Sequence, residues 1–328
     1  MKNPTISLII PVYNVEKYLR KALESVQNQT FKDFEAIIIN DGSTDNSLNI
    51  ILEFCEKNKN FVFINQENSG PAVARNTALN VSKGEYIAFM DSDDYIEPNF
   101  LECLYEAAKK NEADMVCCNF NVYYPEKDIS VYIPIHSLPG VYPKTKALKK
   151  LILDISMHYY VWNKLTKREL FFNHNVKFDD MYFEDISISP KLFYYSKKIV
   201  FLSKVLYNYS SRESSILHSI NVTKINDFIR SLGVIRNFFE MENTYKEYNN
   251  HVWVYAQKSK IVSYYYILCL HAKSANFKGF MDNISSAKKS IDYFVSNDFK
   301  PVNQKSPIDV PHPIKQPENN KIKSNFKH

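Results

Sequence analysis

Glu85-Tyr86-Ile87-Ala88-Phe89-Met90-Asp91-Ser92-Asp93-Asp94 is the stretch on which the fold reading of this chain turns. The run to Met90 is almost continuously apolar, as in a strand covered on both faces. Three carboxylates then fall within four residues. Fully buried, they would be costly without compensating cations. At the carboxyl end of a strand in an open α/β sheet they instead suit a divalent cation and the phosphates it carries.

Outward from that stretch, strand and helix signals alternate. Ser7-Leu8-Ile9-Ile10 reads as a buried strand that Pro11 stops. Val15, Leu19, Ala22, Leu23 and Val26 recur at helical spacing, which predicts an amphipathic helix over 15–29. Residues 34–39 read as a second strand, with Asp45 as the cap of the helix after it. A third strand is expected at 61–64, and Pro71 opens the next helix at its first position. Phe100, Leu101, Leu104 and Ala108 mark a helix, and 115–120 a further strand. This order predicts an α/β fold, a doubly wound, mainly parallel sheet with helices on both faces. The expected domain of this kind covers residues 1–220. A helical C-terminal region follows over 221–300, then a basic, Pro-rich and disordered tail over 301–328.

Composition narrows the classes. The chain has 328 residues, 45% of them hydrophobic, so a large core is available. Only six glycines argue against a fold built on glycine-rich phosphate loops. A net charge of +5 is too mild for nucleic acid but compatible with anionic lipid or phosphorylated substrates. Five cysteines without zinc-finger spacing read as small core residues in a reducing compartment. No signal-peptide pattern opens the chain, and the apolar run 261–270 is too short to span a bilayer. The expectation is a cytoplasmic protein, with peripheral membrane contact or homo-oligomerisation as options for its Tyr- and Lys-rich helices.

Four constellations carry chemistry. Pro11-Val12-Tyr13-Asn14 lies where loops face a binding crevice, and Tyr13 can stack on a base; alone, it is equally a strand end. Asn40-Asp41-Gly42-Ser43-Thr44-Asp45 offers Asp41 as an acceptor for a nucleoside, although a turn plus a helix cap explains Gly42 and Asp45. In Asn68 to Asn76, Arg75 can pair with a diphosphate or a carboxylate, or serve structure alone. Asp91-Ser92-Asp93 can hold Mn²⁺ or Mg²⁺, against the bland reading of a solvated acidic loop.

These four motifs, in order and at this spacing, resemble those of family 2 glycosyltransferases of the bacterial surface-polysaccharide type, which have the GT-A fold. The resemblance covers about residues 5–215. It implies a metal-dependent inverting transfer from a nucleotide-sugar, UDP-linked by default, to a glycan or lipid-linked acceptor. Pro11, Tyr13, Asp41, Arg75, Asp91 and Ser92 would form the donor site, with Asp93 on the metal and Asp91 beside it. Val161-Trp162-Asn163-Lys164-Leu165 is similar to a segment of bacterial members, which would put Trp162 at the acceptor or sugar pocket. Phe183-Glu184-Asp185 matches the family's acidic pair, implying Asp185 as the base and Glu184 as its neighbour; an acidic helix start is the plain alternative. Arg212 would stabilise the leaving diphosphate, with Ser210 where a second basic residue often stands and His218 as a further metal ligand or a solvated side chain. A dinucleotide-dependent oxidoreductase would need a GxGxxG where Pro11-Val12-Tyr13-Asn14 stands. A non-catalytic nucleotide-sugar-binding subunit stays open at this level.

Overall fold

The computed structural model describes residues 3–132, 138–154, 157–211, 220–272, 277–302 and 307–317. They fall into two compact units, 1–213 and 214–328.

The first unit is built on β1 (Ile6–Val12), β2 (Phe34–Asp41), β3 (Phe61–Gln66) and β4 (Tyr86–Phe89), linked by α1 (Glu16–Gln27), α2 (Ser47–Lys57) and α3 (Pro71–Val81). β5 (Tyr95–Ile96), α4 (Phe100–Asn111), β6 (Met115–Tyr124), β7 (Ile129–Tyr132), β8 (Gly140–Pro143), α5 (Lys144–Leu153), β9 (Lys164–Lys167), α6 (Arg168–Asn173), α7 (Glu184–Tyr195) and β10 (Lys198–Ser210) follow. The sheet order is β3-β2-β1-β4-β9-β6-β10-β5. The first four strands pair in parallel, as do β6 and β10. The β1 and β2 isoleucines are buried on both faces, whereas β3 exposes Val62 and Phe63 as an edge strand does. Leu19, Ala22, Leu23 and Val26 bury the predicted face of α1.

Two local expectations give way and a third is extended. Pro11 does not stop β1, whose pairing with β2 runs through Val12. β1 pairs β4 only as far as Ile9, which leaves room for a residue without a backbone donor. α1 ends at Gln27, and Gln29 instead buries its amide against the Ser25 and Glu97 carbonyls and the Leu101 N–H. Asp45 does not simply cap its own helix. Its carboxylate accepts from Glu16 N at the start of α1 as well as from Ser47 N, while Glu16 accepts from Asn46 N. The two helix starts thus cap each other.

β9 is the element that sets the site. It lies antiparallel between β4 and β6, with Leu165 opposite Ala88 and Val116. The residues before Leu165 therefore run alongside those that follow Ala88, toward Asp91.

The second unit holds α8 (Val222–Met241), α9 (Tyr245–His271) and α10 (Phe277–Val295). Its core includes Ile225, Ile229, Phe239, Tyr248, Ile267, Ile291 and Phe294. Gly233 faces the Phe294 ring, where a Cβ would come within 2.6 Å of a ring carbon. Among the described tail residues the disorder expected from composition is not what is seen. Asn226 donates to the Ile314 carbonyl and accepts from its N–H, and Asn283 does the same for Lys315. Ser290 likewise pairs with His312. Side-chain amides and a hydroxyl pair with the backbone there, so no apolar periodicity is needed; among the described tail residues Ile314 alone is buried, at 2% exposure. Among the described residues no helix is long and apolar enough to cross a membrane.

Candidate active site

The carboxyl ends of β1, β2 and β4 converge with the start of α7. Tyr13, after β1, is 49% exposed. Asn14 beside it adopts a left-handed backbone (φ 50°), which Asn tolerates, and accepts from Thr44 N at 2.8 Å. The Ser43 hydroxyl accepts from Asn14 N in return, so the loops after β1 and β2 hold each other. Asp41 is buried, and its carboxylate accepts from Gln66 Nε2 at 2.7 Å and from Ser69 N and Gly70 N at 2.9 Å each. It fixes the loop leading into α3 and keeps about one lone-pair position of roughly four.

Arg75, one turn into α3, is the hub. Its buried guanidinium meets Asp91 Oδ1 at 2.7 Å through one nitrogen and Glu184 Oε1 through another. Burial works against that charge, but Glu184 and Asp91 outweigh it and raise the pKa further above its ordinary value. Asn76, next on α3, donates to the Phe178 carbonyl and accepts from its N–H, which draws the segment before α7 onto α3. The Phe178 ring lies 5.5 Å from the guanidinium carbon.

The acidic quartet divides its labour. Asp91 and Asp93 are half-buried, while Ser92 and Asp94 are buried. The Tyr207 hydroxyl accepts from Asp91 N at 3.1 Å and donates to Asp94 Oδ2 at 2.6 Å. Ser210 N donates to Asp94 Oδ1 at 2.7 Å. Burial, followed by the charges of Asp93 and Asp91, pushes Asp94 well above the usual carboxylate range. Asp94 thus anchors the turn to β10 and leaves Asp91 and Asp93 as the outward pair. Among the described residues no cluster of three or more His, Cys, Asp or Glu forms a metal cage. A pair of carboxylates fits a hard cation that completes its shell with substrate oxygens and water.

α7 begins with Glu184 and Asp185, preceded by Phe183 at φ 62°, a left-handed conformation rare for an aromatic residue. Loss of hydration, then the charge of Glu184, raises Asp185 to about 7, with Arg75 and Lys164 pulling the other way. Lys164 is a buried cation in the central strand β9. Its ammonium donates to the carbonyls of His158 and Tyr160 and to Asn163 Oδ1. Burial lowers its pKa.

Trp162 does not line an open pocket. It is 5% exposed, stacked on Tyr160 at 4.7 Å and on Tyr207 at 4.4 Å, with Phe120 edge-on at 4.9 Å. The column joins half-exposed Tyr160 to Tyr207 beneath the acidic turn. Arg212 and His218 lie outside the described residues. Lys164, Tyr160 and Tyr207 are candidate site residues that the sequence motifs did not assign. Lys164 lies within the segment 161–165, Tyr160 just before it, and Tyr207 three residues before Ser210.

The profile described as glycosyl transferase family 2 matches residues 7–173. Glycosyltransferase GlyA of Streptococcus pneumoniae is 38% identical over 221 residues, 64% of this chain. The chain spans only 31% of GlyA. EpsH of Bacillus subtilis, named as a putative glycosyltransferase, is 31% identical over 252 residues, covering 76% of this chain and 73% of EpsH. Crystal structures of S. aureus TarS 1–349 share the fold. One superposes with a TM-score of 0.67 at 22% identity over 88% of this chain and 80% of TarS. Another, in complex with UDP-GlcNAc, gives 0.60 at 19% over 87% and 91%. The motifs, the sheet and these likenesses agree: the chain belongs to glycosyl transferase family 2 and is a glycosyltransferase with the GT-A fold and a helical C-terminal region.

Proposed function

We propose that the chain moves a sugar from a nucleotide-sugar, UDP-linked, to a hydroxyl of a glycan or lipid-linked acceptor of a surface polysaccharide, on the cytoplasmic side, with Mn²⁺ or Mg²⁺. One observation carries this reading. Arg75 draws together two carboxylates, Asp91 and Glu184, that lie 16 and 109 residues away from it, beside an Asp185 titrating near neutrality.

In this reading Tyr13 stacks on the base and Asp41 spends its remaining lone pair on the nucleoside, with Pro11 and Ser92 shaping the floor. UDP is favoured because TarS, of the same fold, is known with UDP-GlcNAc. Asp93 and Asp91 would hold the divalent cation, which neutralises diphosphate charge when bound. Arg75 keeps Asp91 oriented, and Arg212 is the proposed counter-charge for the leaving group. Asp185 takes the proton of the acceptor hydroxyl as that oxygen bonds to the anomeric carbon. The bond from that carbon to the diphosphate oxygen breaks, and the electron pair leaves with the diphosphate, inverting the centre. Glu184 sets the charge around Asp185. Trp162 acts through Tyr160, which it supports at the mouth of the acceptor side.

The test is a panel of nucleotide-sugars with Mn²⁺ or Mg²⁺, read as release of the nucleoside diphosphate and as thermal stabilisation. Asp185→Asn should abolish transfer and keep donor binding. Absence of affinity for every donor in either metal would end this reading.

A further inference from the structure

The second unit carries an apolar stripe that its own core does not use. On α9, Val254, Ile261, Tyr265 and Leu268 follow one another at steps of seven, four and three residues, so they share one face. They are 47%, 71%, 62% and 56% exposed, and Trp253 at their edge is 55% exposed. The opposite face of α9, with Val252, Ala256, Ser259, Ser263 and Ile267, is the buried one. α10 runs back along α9, with His271 against Phe280 and Lys260 paired to Asp292. Its first turns extend the stripe with Phe277, 73% exposed, and Met281, 47%. Scattered apolar surface residues need no explanation, but seven large ones in one band do.

Charge says what covers the band. Residues 214–328 carry 16 Lys and Arg against nine Asp and Glu, while residues 1–213 carry 25 against 27. The basic excess of the chain therefore sits wholly in the unit that bears the stripe. Lys258 lies within the band and Lys278 at its end, both exposed. A second copy of so basic a unit would be repelled; an anionic bilayer would be attracted. Aromatic and aliphatic side chains among lysines on a helix face are the pattern of a helix lying in the lipid interface.

We propose that the α9–α10 face is a docking surface for an anionic phospholipid membrane, with Ile261, Tyr265, Leu268 and Phe277 entering the headgroup boundary and Lys258 and Lys278 meeting lipid phosphates. The proposal goes beyond the transfer reaction and needs no assumption about the donor.

The chain supplies its own probe. Of its two tryptophans, Trp162 is buried and Trp253 sits at the edge of the stripe. Full-length protein, without donor or metal, is mixed with vesicles of phosphatidylcholine alone or with about a third phosphatidylglycerol. Cosedimentation with the anionic vesicles and a blue shift of Trp253 emission are expected, both weakening as salt rises. Ile261→Glu or Phe277→Glu should lower the partition coefficient at least about tenfold, and Lys258→Gln or Lys278→Gln about fivefold each. All four should keep the far-UV circular dichroism and the thermal midpoint of the parent, since these side chains are exposed. No association with anionic vesicles, or no blue shift on association, overturns the proposal. A concentration-dependent dimer that Ile261→Glu dissociates also overturns it, by giving the stripe to a second copy. Vesicle binding by a protein that transfers no sugar would leave this surface standing and refute only the proposed reaction.

Discussion

Replacing Arg75 by Met should destabilise the first unit more than any other single change at the site. The side chain is 7% exposed and spans Asp91 and Glu184, which are 29% and 12% exposed. Removing one member of a buried ion pair typically costs about 3–5 kcal/mol, because the partner stays buried and uncompensated. Water reaches Asp91 and recovers part of its solvation, so the lower end, about 3 kcal/mol, is expected here. For a unit of this size that corresponds to roughly 6–12 °C in the thermal midpoint. Arg75→Lys keeps the charge but not the planar fork, so it should fall between the two. The decisive comparison is Arg75→Met with Glu184→Gln. Neutralising the more buried carboxylate removes its uncompensated charge, and the double variant should recover at least about half of the loss. Urea unfolding is followed by Trp162 emission in a Trp253→Phe background, without divalent metal, so that only the first unit is read. An Arg75→Met loss within about 1 kcal/mol, or a double variant less stable than the single one, would refute the argument.

Asp185 gives a prediction with a definite sign. As a base it must be unprotonated, so the transfer rate should rise about tenfold per pH unit and level off above about 7. For stability the sign reverses. The folded pKa lies above the unfolded one, so the folded state holds a proton that the unfolded chain has released. Stability is thereby lost as pH rises from about 4 to 7. Asp185→Asn should then be the more stable protein at pH 8, by at most about 4 kcal/mol, and near parity at pH 4. Lys164→Met should move the acid limb of the rate profile to higher pH, since Lys164 pulls the Asp185 pKa down. The same change removes three bonds to oxygen and should cost about 2 kcal/mol in urea unfolding. Tyr207→Phe deletes the hydroxyl shared by Asp91 N and Asp94 and should cost about 1–3 kcal/mol, with transfer slowed through the displaced acidic turn.

The alternation of strands and amphipathic helices from Ile6 to Phe120 was legible in the sequence because those elements announce themselves by local period, all but the two-residue β5, which is too short to show one. The carboxylates after β4 and at the start of α7 were equally legible, since charge at a strand end or helix start is a local pattern. The family followed from those motifs and their order. β9 was hidden, because Asn163 and the strand's own Lys164 lack a strand's apolar run, and the carbonyls of His158 and Tyr160 that satisfy Lys164 sit in the preceding loop, where no periodic pattern marks them. Only tertiary structure could show that Asp41 holds the loop before α3, that Trp162 supports a column of rings, and that the described tail is gripped by asparagines. Tyr160 apart, which neighbours Trp162 in sequence, these roles depend on partners 25 to 88 residues away. A local pattern fixes what a residue can do; which of its hydrogen bonds or faces is already taken depends on long-range contacts, and that is decided when the turn after β4 and the start of α7 meet at Arg75.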